Sequence, residues 1–313
     1  MHSWIIIAIA AQIIFAVATI FDKAVVTAKK VLHPFSYAFY VCLLSALSVI
    51  IFFFDWLPLP MGIETPSIKD LLFPTWQILL FSLLIGYLLF IALVNLYEAL
   101  SKSDASDVSP VVASFGAVGT LMLEFYLLKA EYSLLTILGI LLLVLGTFLI
   151  SNLRLSQEVF FHTIVSGIAF GAYYTFIKYI FVLTNFDTGF LYTRLGVAIA
   201  ALSIILIPAY RRRIFRKLNN DKGNIKKAAY YIICIKIVSG LASLMTLKAI
   251  QMGSVAVVQA LSGVQFMILI LFSIFFSHRT PDFFGEKDQD SWVLAHKIFV
   301  SIIISVGLYL IFL

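Results

Sequence analysis

The chain has 313 residues, of which 62% are hydrophobic and 12% are charged, and its mean hydropathy is +1.05. Soluble proteins carry about twice that fraction of charged residues, so the composition excludes a water-soluble globular protein. The formal net charge of +6 does not indicate a nucleic-acid partner, because the basic residues lie beside apolar segments and do not form one basic face.

Ten segments of the sequence are long and apolar enough to cross a membrane, which takes about 20 residues of helix. They cover residues 3–21, 34–54, 76–97, 107–128, 132–151, 160–182, 188–208, 228–250, 254–277 and 293–313. An outer-membrane barrel is excluded, because its strands are about ten residues of alternating character and these runs are continuous. The sequence therefore predicts an all-α integral membrane protein with ten transmembrane helices, embedded in the lipid bilayer of the plasma membrane.

The first segment resembles a signal peptide, with an apolar core and a small-residue triplet at 16–18. No basic residue precedes the core, so we expect the segment to be retained as a helix. The two cysteines, Cys42 and Cys234, lie singly in separate segments. Neither a disulfide nor a metal site is predicted from them, and the sequence indicates no cofactor.

The start of the fourth segment has two interpretations. Ser109 followed by Pro110 is typical of an N-cap and the first helical position. The helix can equally begin near Ser103, with Pro110 as a kink inside it.

The second half of the chain repeats the first. Residues 248–276 match 98–126 at an offset of 150, and residues 168–178 match 13–23 at an offset of 155. The second segment repeats in the seventh at 155, and the fifth in the tenth at 161. Collinear matches predict two copies of a five-helix unit, residues 1–155 and 156–313. Because five is odd, the second copy crosses the membrane in the opposite sense, as in the inverted repeats of many transporters.

Basic residues beside the segments predict the orientation. The loops after the odd-numbered segments hold sixteen Lys and Arg residues, against three on the other side. By the positive-inside rule the odd-numbered loops are cytoplasmic and both termini are extracytoplasmic.

Several stretches resemble the drug/metabolite transporter superfamily, in particular its EamA-like members. They are ASDVSPVVASF before the fourth segment, GSVAVVQALSGVQF before the ninth, and the closing helices LGILLLVLGTFLI and IIISVGLYLIF. The resemblance implies a carrier that moves small metabolites, often as an exporter, through a central cavity lined by both repeats. It also implies cytoplasmic termini, which conflicts with the count of basic residues.

Ionisable residues inside membrane segments are costly and are functional candidates by default. We expect Lys178, Arg194 and Lys248 in the outer half of the membrane, where Glu124 is the only acid. This excess of positive charge predicts a substrate with a carboxylate or other anionic group, held by Lys178 and Arg194. Snorkelling, or pairing with Glu124 and Asp187, is the structural alternative. The predicted gate residues are Lys23, Glu98 and Lys248.

Other polar residues complete the predicted substrate site. Lys236 begins a stripe of small and polar residues along the eighth segment, which indicates a cavity wall or close helix packing. Tyr173 and Tyr174 offer aromatic rings with polar tips. Four amides need hydrogen-bond partners from a neighbouring helix or from substrate: Gln12, Asn95, Gln259 and Gln265.

Three functions remain open at this point. The leading one is a secondary transporter that exports an anionic or zwitterionic metabolite such as an amino acid by alternating access, as a monomer or homodimer. No nucleotide-binding loop is present, and both proton coupling and facilitated exchange remain open. The second is a translocator of lipid-linked sugars or polyprenyl phosphates. The third, a membrane-embedded enzyme, is disfavoured because the five histidines are not grouped.

Overall fold

A computed structural model describes residues 3–27, 33–54, 65–215, 222–276, and 299–310 apart from 301, 304 and 308. Within these ranges the protein is all-helical. The first half contains α1 (Ser3–Thr27), α2 (Pro34–Ser45), α3 (Trp76–Lys102), α4 (Ala105–Leu123) and α5 (Leu134–Arg154). The second half contains α6 (Gln157–Leu183), α7 (Phe186–Ile204), α8 (Pro208–Ile214), α9 (Lys222–Met252), α10 (Val255–Ala260) and α11 (Ser262–Phe276). A 3₁₀ helix (Ala46–Phe54) continues α2, and a π-helical turn (Glu124–Leu128) continues α4.

Six helices in the described ranges are long and apolar enough to cross a membrane. They begin at Ser3, Pro34, Trp76, Ala105, Gln157 and Ile232, and the bent pair of α7 and α8 makes a seventh if it is one span. Shorter apolar helices cover Leu134–Gly146 and Val255–Leu269. The chain is thus a multi-pass membrane protein, while the full set of ten crossings stays a prediction.

Some sequence predictions fall on residues outside the described ranges. The tenth predicted segment, 293–313, is described only in part. Much of the basic-residue count also lies outside, including Lys29, Lys30, Arg279, Lys287 and Lys297.

Two helix boundaries differ from the simplest sequence interpretation. The first helix continues past residue 21 to Thr27, because Asp22 and Lys23 both find oppositely charged partners inside the bundle. The fourth begins at Ala105 with Asp104 as its N-cap residue, so Pro110 lies inside the helix. This is the second of the two alternatives. Both helices bring acidic residues to buried positions.

Glycines let α3 and α7 approach until their backbones touch. A Cβ atom on Gly196 would overlap the Ser82 carbonyl oxygen, and one on Gly86 would lie 2.6 Å from the Ala200 Cβ. Small residues at such crossings are typical of membrane helix pairs, because lipid offers no hydrophobic drive to association. The contact joins the first half of the chain to the second.

A short helix, α8, turns away from α7 by 102°. One face of α8 is attached to the bundle: Tyr210 stacks on Phe35, Ile214 is buried, and Arg213 lies over the Phe35 ring. Arg211 and Arg212 on the other face are exposed. We call this end of the bundle, where α1 and α3 end and α2 begins, the basic end.

Replacing Gly196 by Ala tests the close contact. The added methyl group has to displace the α3 backbone, and such overpacking costs about 1–3 kcal/mol. We expect Gly196→Ala to lower the thermal unfolding temperature of the purified protein in detergent. Gly240→Ala is the matched control, because no atom lies within 4 Å of its added Cβ. Equal unfolding temperatures for the two variants would contradict the α3–α7 contact.

Candidate substrate site

A buried ion pair connects the two halves of the chain near the basic end. The Lys236 ammonium donates to both oxygens of Asp22, at 2.6 and 2.8 Å. The Tyr37 hydroxyl donates to the same carboxylate at 2.6 Å, and the Tyr97 hydroxyl at 3.3 Å. The ammonium also lies 5.0 Å from the Tyr37 ring centroid. Four helices, α1, α2, α3 and α9, therefore meet at one polar cluster, which we call the Asp22 cluster.

Arg194 is buried in the middle of the bundle with incomplete hydrogen bonding. Its side chain, on α7, is 4% exposed and donates to the Ser243 hydroxyl of α9 at 3.3 Å. The guanidinium carbon lies 5.3 Å from the Phe190 ring centroid, and the Nε donor has no partner. No carboxylate in the described part of the chain lies within 4 Å of this guanidinium. A buried cation in this state favours an anionic ligand.

Buried aromatic and thiol groups lie on the helices that pack near Arg194. Tyr173 on α6 is buried beside it, and Tyr174 forms an edge contact with Tyr173 at 4.8 Å between ring centroids. Cys42 on α2 is fully buried within the electrostatic range of both Arg194 and Lys236. The structure thus brings together three of the predicted site residues, Tyr173, Tyr174 and Arg194. Lys236 lies about two helical turns along α9 from Ser243, in the Asp22 cluster.

Lys178 has a different environment from Arg194. Its ammonium donates to the carbonyls of Ile250, Gln251 and Gly253, at 2.8, 2.8 and 3.1 Å. These carbonyls lie where α9 ends and the chain turns into α10. Because all three donors are used, and cations stabilise helix C-termini, the geometry favours a role in holding this joint.

Glu124 fastens the other side of the same joint. Its carboxylate accepts from the Val255 and Ala256 amides, both at 2.9 Å, and from the Ser254 hydroxyl at 3.2 Å. Tyr132 also donates to it. A carboxylate at the N-terminus of α10 satisfies backbone donors that have no partner within the helix. The residue therefore ties the end of α4 to the start of α10.

The predicted gate residues have separate partners. Lys23 pairs with Asp104 at 2.5 Å, and Glu98 lies 3.5 Å from Arg213 of α8. The Lys248 ammonium lies 4.7 Å from the Phe186 ring centroid at the opposite end of the bundle. The first two residues therefore connect helices at the basic end through two different ion pairs.

The four predicted amides are distributed among several helix contacts. Gln265 donates to Thr19 at 2.8 Å, and Asn95 bonds His162 at 2.7 Å. Gln12 is buried in α1, and the buried Gln259 Nε2 has no partner. Gln259 lies by the crossing of α4 and α6.

Sequence reasoning misses Asp22. The first apolar segment ends at residue 21, which places Asp22 in a loop and not among the intramembrane charges. The sequence does contain a signal that could have identified Asp22, because Lys236 in the eighth segment needs an acidic partner inside the membrane. Asp22 follows the apolar run directly.

The family follows from a match over the first half of the chain. Residues 2–152 match the model of the EamA-like transporter family. The chain belongs to this family. It is part of the drug/metabolite transporter superfamily, as the resemblance in the sequence implied. An EamA-like chain is a membrane transporter that works in a lipid bilayer on a small-molecule substrate.

The fold of this EamA-like chain also occurs in a solved structure described as "Crystal structure of protein". The two superpose with a TM-score of 0.61 at 14% identity, over 98% of this chain and 96% of the other. No curated protein matches the chain. The likeness at this identity concerns the fold alone.

Replacing Glu124 by Gln tests the α4–α10 joint. An amide has one acceptor oxygen, so one α10 amide loses its partner, at about 1–3 kcal/mol. We expect Glu124→Gln to unfold at a lower temperature than the unmodified protein. Glu131→Gln, a change at an exposed acid, is the control and should unfold like the unmodified protein. A Glu124→Gln protein as stable as the control would show that the cap contributes nothing.

Proposed function

We propose that the protein is a secondary carrier that exports a small carboxylate metabolite, such as an amino acid, across the plasma membrane. The observation that carries the proposal is the buried Arg194, with one unused donor and no carboxylate partner among the described residues. A guanidinium can hold a carboxylate in two parallel bonds, and desolvation strengthens them. In this proposal Arg194 is the anion-binding group, while Lys178 secures the α9–α10 joint.

Alternating access needs helices that move around a fixed central site. Arg194 binds α9 through Ser243 and lies against Tyr173 of α6. Each of these groups can change partner when a carboxylate enters. Because an unpaired charge inside the membrane is costly, a carboxylate that neutralises Arg194 lowers the cost of closing the site while the helices move around it. Substrate binding thereby favours the transition.

The ten-helix inverted repeat, residues 1–155 and 156–313, is part of the proposal. Two helix contacts support it: α1 packs on α9, and α6, the repeat counterpart of α1, packs on α3, the counterpart of α9. The contacts of two lysines at equivalent positions also support the repeat. Lys23 binds Asp104 at the α3–α4 joint, and its counterpart Lys178 binds Gly253 at the α9–α10 joint.

A metabolite comparison tests the carrier function. We expect cells that produce the protein to redistribute a carboxylate metabolite between cytoplasm and medium. Arg194→Gln at equal abundance should lower this transport by about tenfold or more, since a hydrogen bond to a charged group contributes about 1.5–3 kcal/mol. Lys69→Gln, at an exposed position before α3, is the control and should transport normally.

Two outcomes would contradict the proposal. Normal transport by the Arg194→Gln protein would show that Arg194 is not the anion-binding group. If only lipid-linked sugars or polyprenyl phosphates change in distribution, the protein is a translocator of those lipids and not a metabolite carrier.

Reporter fusions test the orientation. The excess of basic residues in the odd-numbered loops places both termini outside the cytoplasm. We expect a reporter after Leu313 to be active only outside, and a reporter after Arg154 to be active only in the cytoplasm. A cytoplasmic signal from the fusion after Leu313 would reverse the orientation.

A further inference from the structure

We propose that Thr246 on α9 binds the substituent next to the carboxylate of the substrate, so that the substrate is a 2-amino or 2-hydroxy acid. The inference rests on the proposed carrier function and extends the Arg194 site by one residue. Arg194 holds the carboxylate. Thr246 distinguishes acids that have a hydrogen-bonding group on the adjacent carbon from acids that have none.

The Thr246 hydroxyl is buried without a hydrogen bond. The residue is 3% exposed, and its Oγ1 atom has no partner. A hydroxyl that leaves water without gaining a partner is unfavourable, so buried hydroxyls are usually paired with protein, water or ligand. The unused hydroxyl of Thr246 therefore needs an explanation.

Other threonines in the bundle are satisfied within their own helices. Thr19, Thr120 and Thr175 each donate to the carbonyl oxygen four residues earlier, at 2.9, 2.8 and 2.8 Å. This bond is a common one for a threonine inside a helix. Thr246 lies inside α9, where the Ala242 carbonyl is at the same spacing, yet its hydroxyl makes no bond there. Both the proton and the lone pairs of Thr246 are available to a ligand.

Thr246 lies next to the contact between Arg194 and α9. Ser243, whose hydroxyl accepts from Arg194 at 3.3 Å, is three residues earlier in the same helix. Residues at this spacing are neighbours on one face, with Cβ atoms about 5–6 Å apart. The Thr246 hydroxyl is therefore at most on the order of 10 Å from the guanidinium.

A single small acid can bridge the two unused atoms, Arg194 Nε and Thr246 Oγ1. The carboxylate accepts from Nε, and an amine or hydroxyl on the adjacent carbon bonds Oγ1. With a hydrogen bond of about 2.8 Å at each end, such a group spans about 8 Å. This length lies within the separation that the helix geometry allows.

The two residues contribute differently to recognition. A buried guanidinium attracts any carboxylate that fits beside it. A buried hydroxyl rejects an acid without a matching group, because the hydroxyl then stays unpaired when the site is filled. Thr246 is thus a specificity residue, and its removal should abolish a preference and not all binding.

The experiment measures binding and needs no knowledge of the natural substrate. The probes are butanoate, 2-hydroxybutanoate and 2-aminobutanoate, which differ only in the group next to the carboxylate. Their dissociation constants are measured by isothermal titration calorimetry with the full chain in lipid nanodiscs. Thr246→Val replaces the hydroxyl by a methyl group of similar size. Thr120→Val is the matched control, because that buried hydroxyl is bonded within its own helix.

We expect at least one substituted probe to bind about tenfold more tightly than butanoate, as one good hydrogen bond allows. Thr246→Val should reduce this ratio to about one and leave the affinity for butanoate unchanged. Thr246→Ser, which keeps the hydroxyl, and Thr120→Val should keep the ratio. Arg194→Gln should weaken the binding of all three probes. The more tightly bound of the two substituted probes identifies the substituent as a hydroxyl or an amine.

Three results would overturn the proposal: equal affinity for all three probes, no binding of any probe, or an unchanged ratio in Thr246→Val. Thr246→Ala serves in the same role if Thr246→Val does not fold. Carboxylate transport that depends on Arg194, together with equal binding of the probes, rejects the Thr246 contact alone. A ratio that depends on Thr246 in a protein that transports no carboxylate rejects the carrier alone.

Discussion

Every charged group that enters this bundle has to replace its water with protein groups, and that requirement decides how the helices meet. Asp22 and Lys236 satisfy each other across the two halves of the chain. Lys178 and Glu124 are satisfied by backbone groups on opposite sides of the α9–α10 joint. Arg194 differs from these four residues, because its donors are only partly used. Of these five residues, Arg194 is the one with an unused donor, and therefore the one with a reason to bind a further group.

The positions of the helices could be predicted from the sequence because apolar run length is a local property. The partners of the charged residues could not. Lys236 is recognisable as an intramembrane cation, but its partner Asp22 is 214 residues away and lies just past the end of an apolar run. From the sequence, Lys178 and Arg194 look equivalent, because both are basic and both are expected at a similar depth in the membrane. Only the packed structure separates them, by placing three carbonyls around one and a hydroxyl near the other.

The two ends of the bundle differ in chemistry in a way that bears on how each could open. At the basic end the contact between α1 and α9 includes the Asp22 cluster. In the proposed repeat, the counterparts of Asp22 and Lys236 are Ile177 and Gly86, which are an apolar residue and a glycine in close contact with α7. An ion pair holds α1 against α9, while these counterpart positions of α6 and α3 carry no charge. In the proposed repeat, the two ends of the bundle thus differ in chemistry, because one contact includes an ion pair and its counterpart is apolar.

The right-angled turn from α7 into α8 has a mechanical consequence. With Tyr210 and Ile214 attached to the bundle and Arg211 and Arg212 exposed, we expect α8 to lie along the membrane surface at the level of the lipid headgroups. A helix with two exposed guanidinium groups resists being drawn into hydrocarbon or lifted into water. In that position α8 would hold α7, and with it Arg194, at a fixed depth in the bilayer. In the proposed carrier, the other helices would move around Arg194 while Arg194 keeps its depth in the membrane.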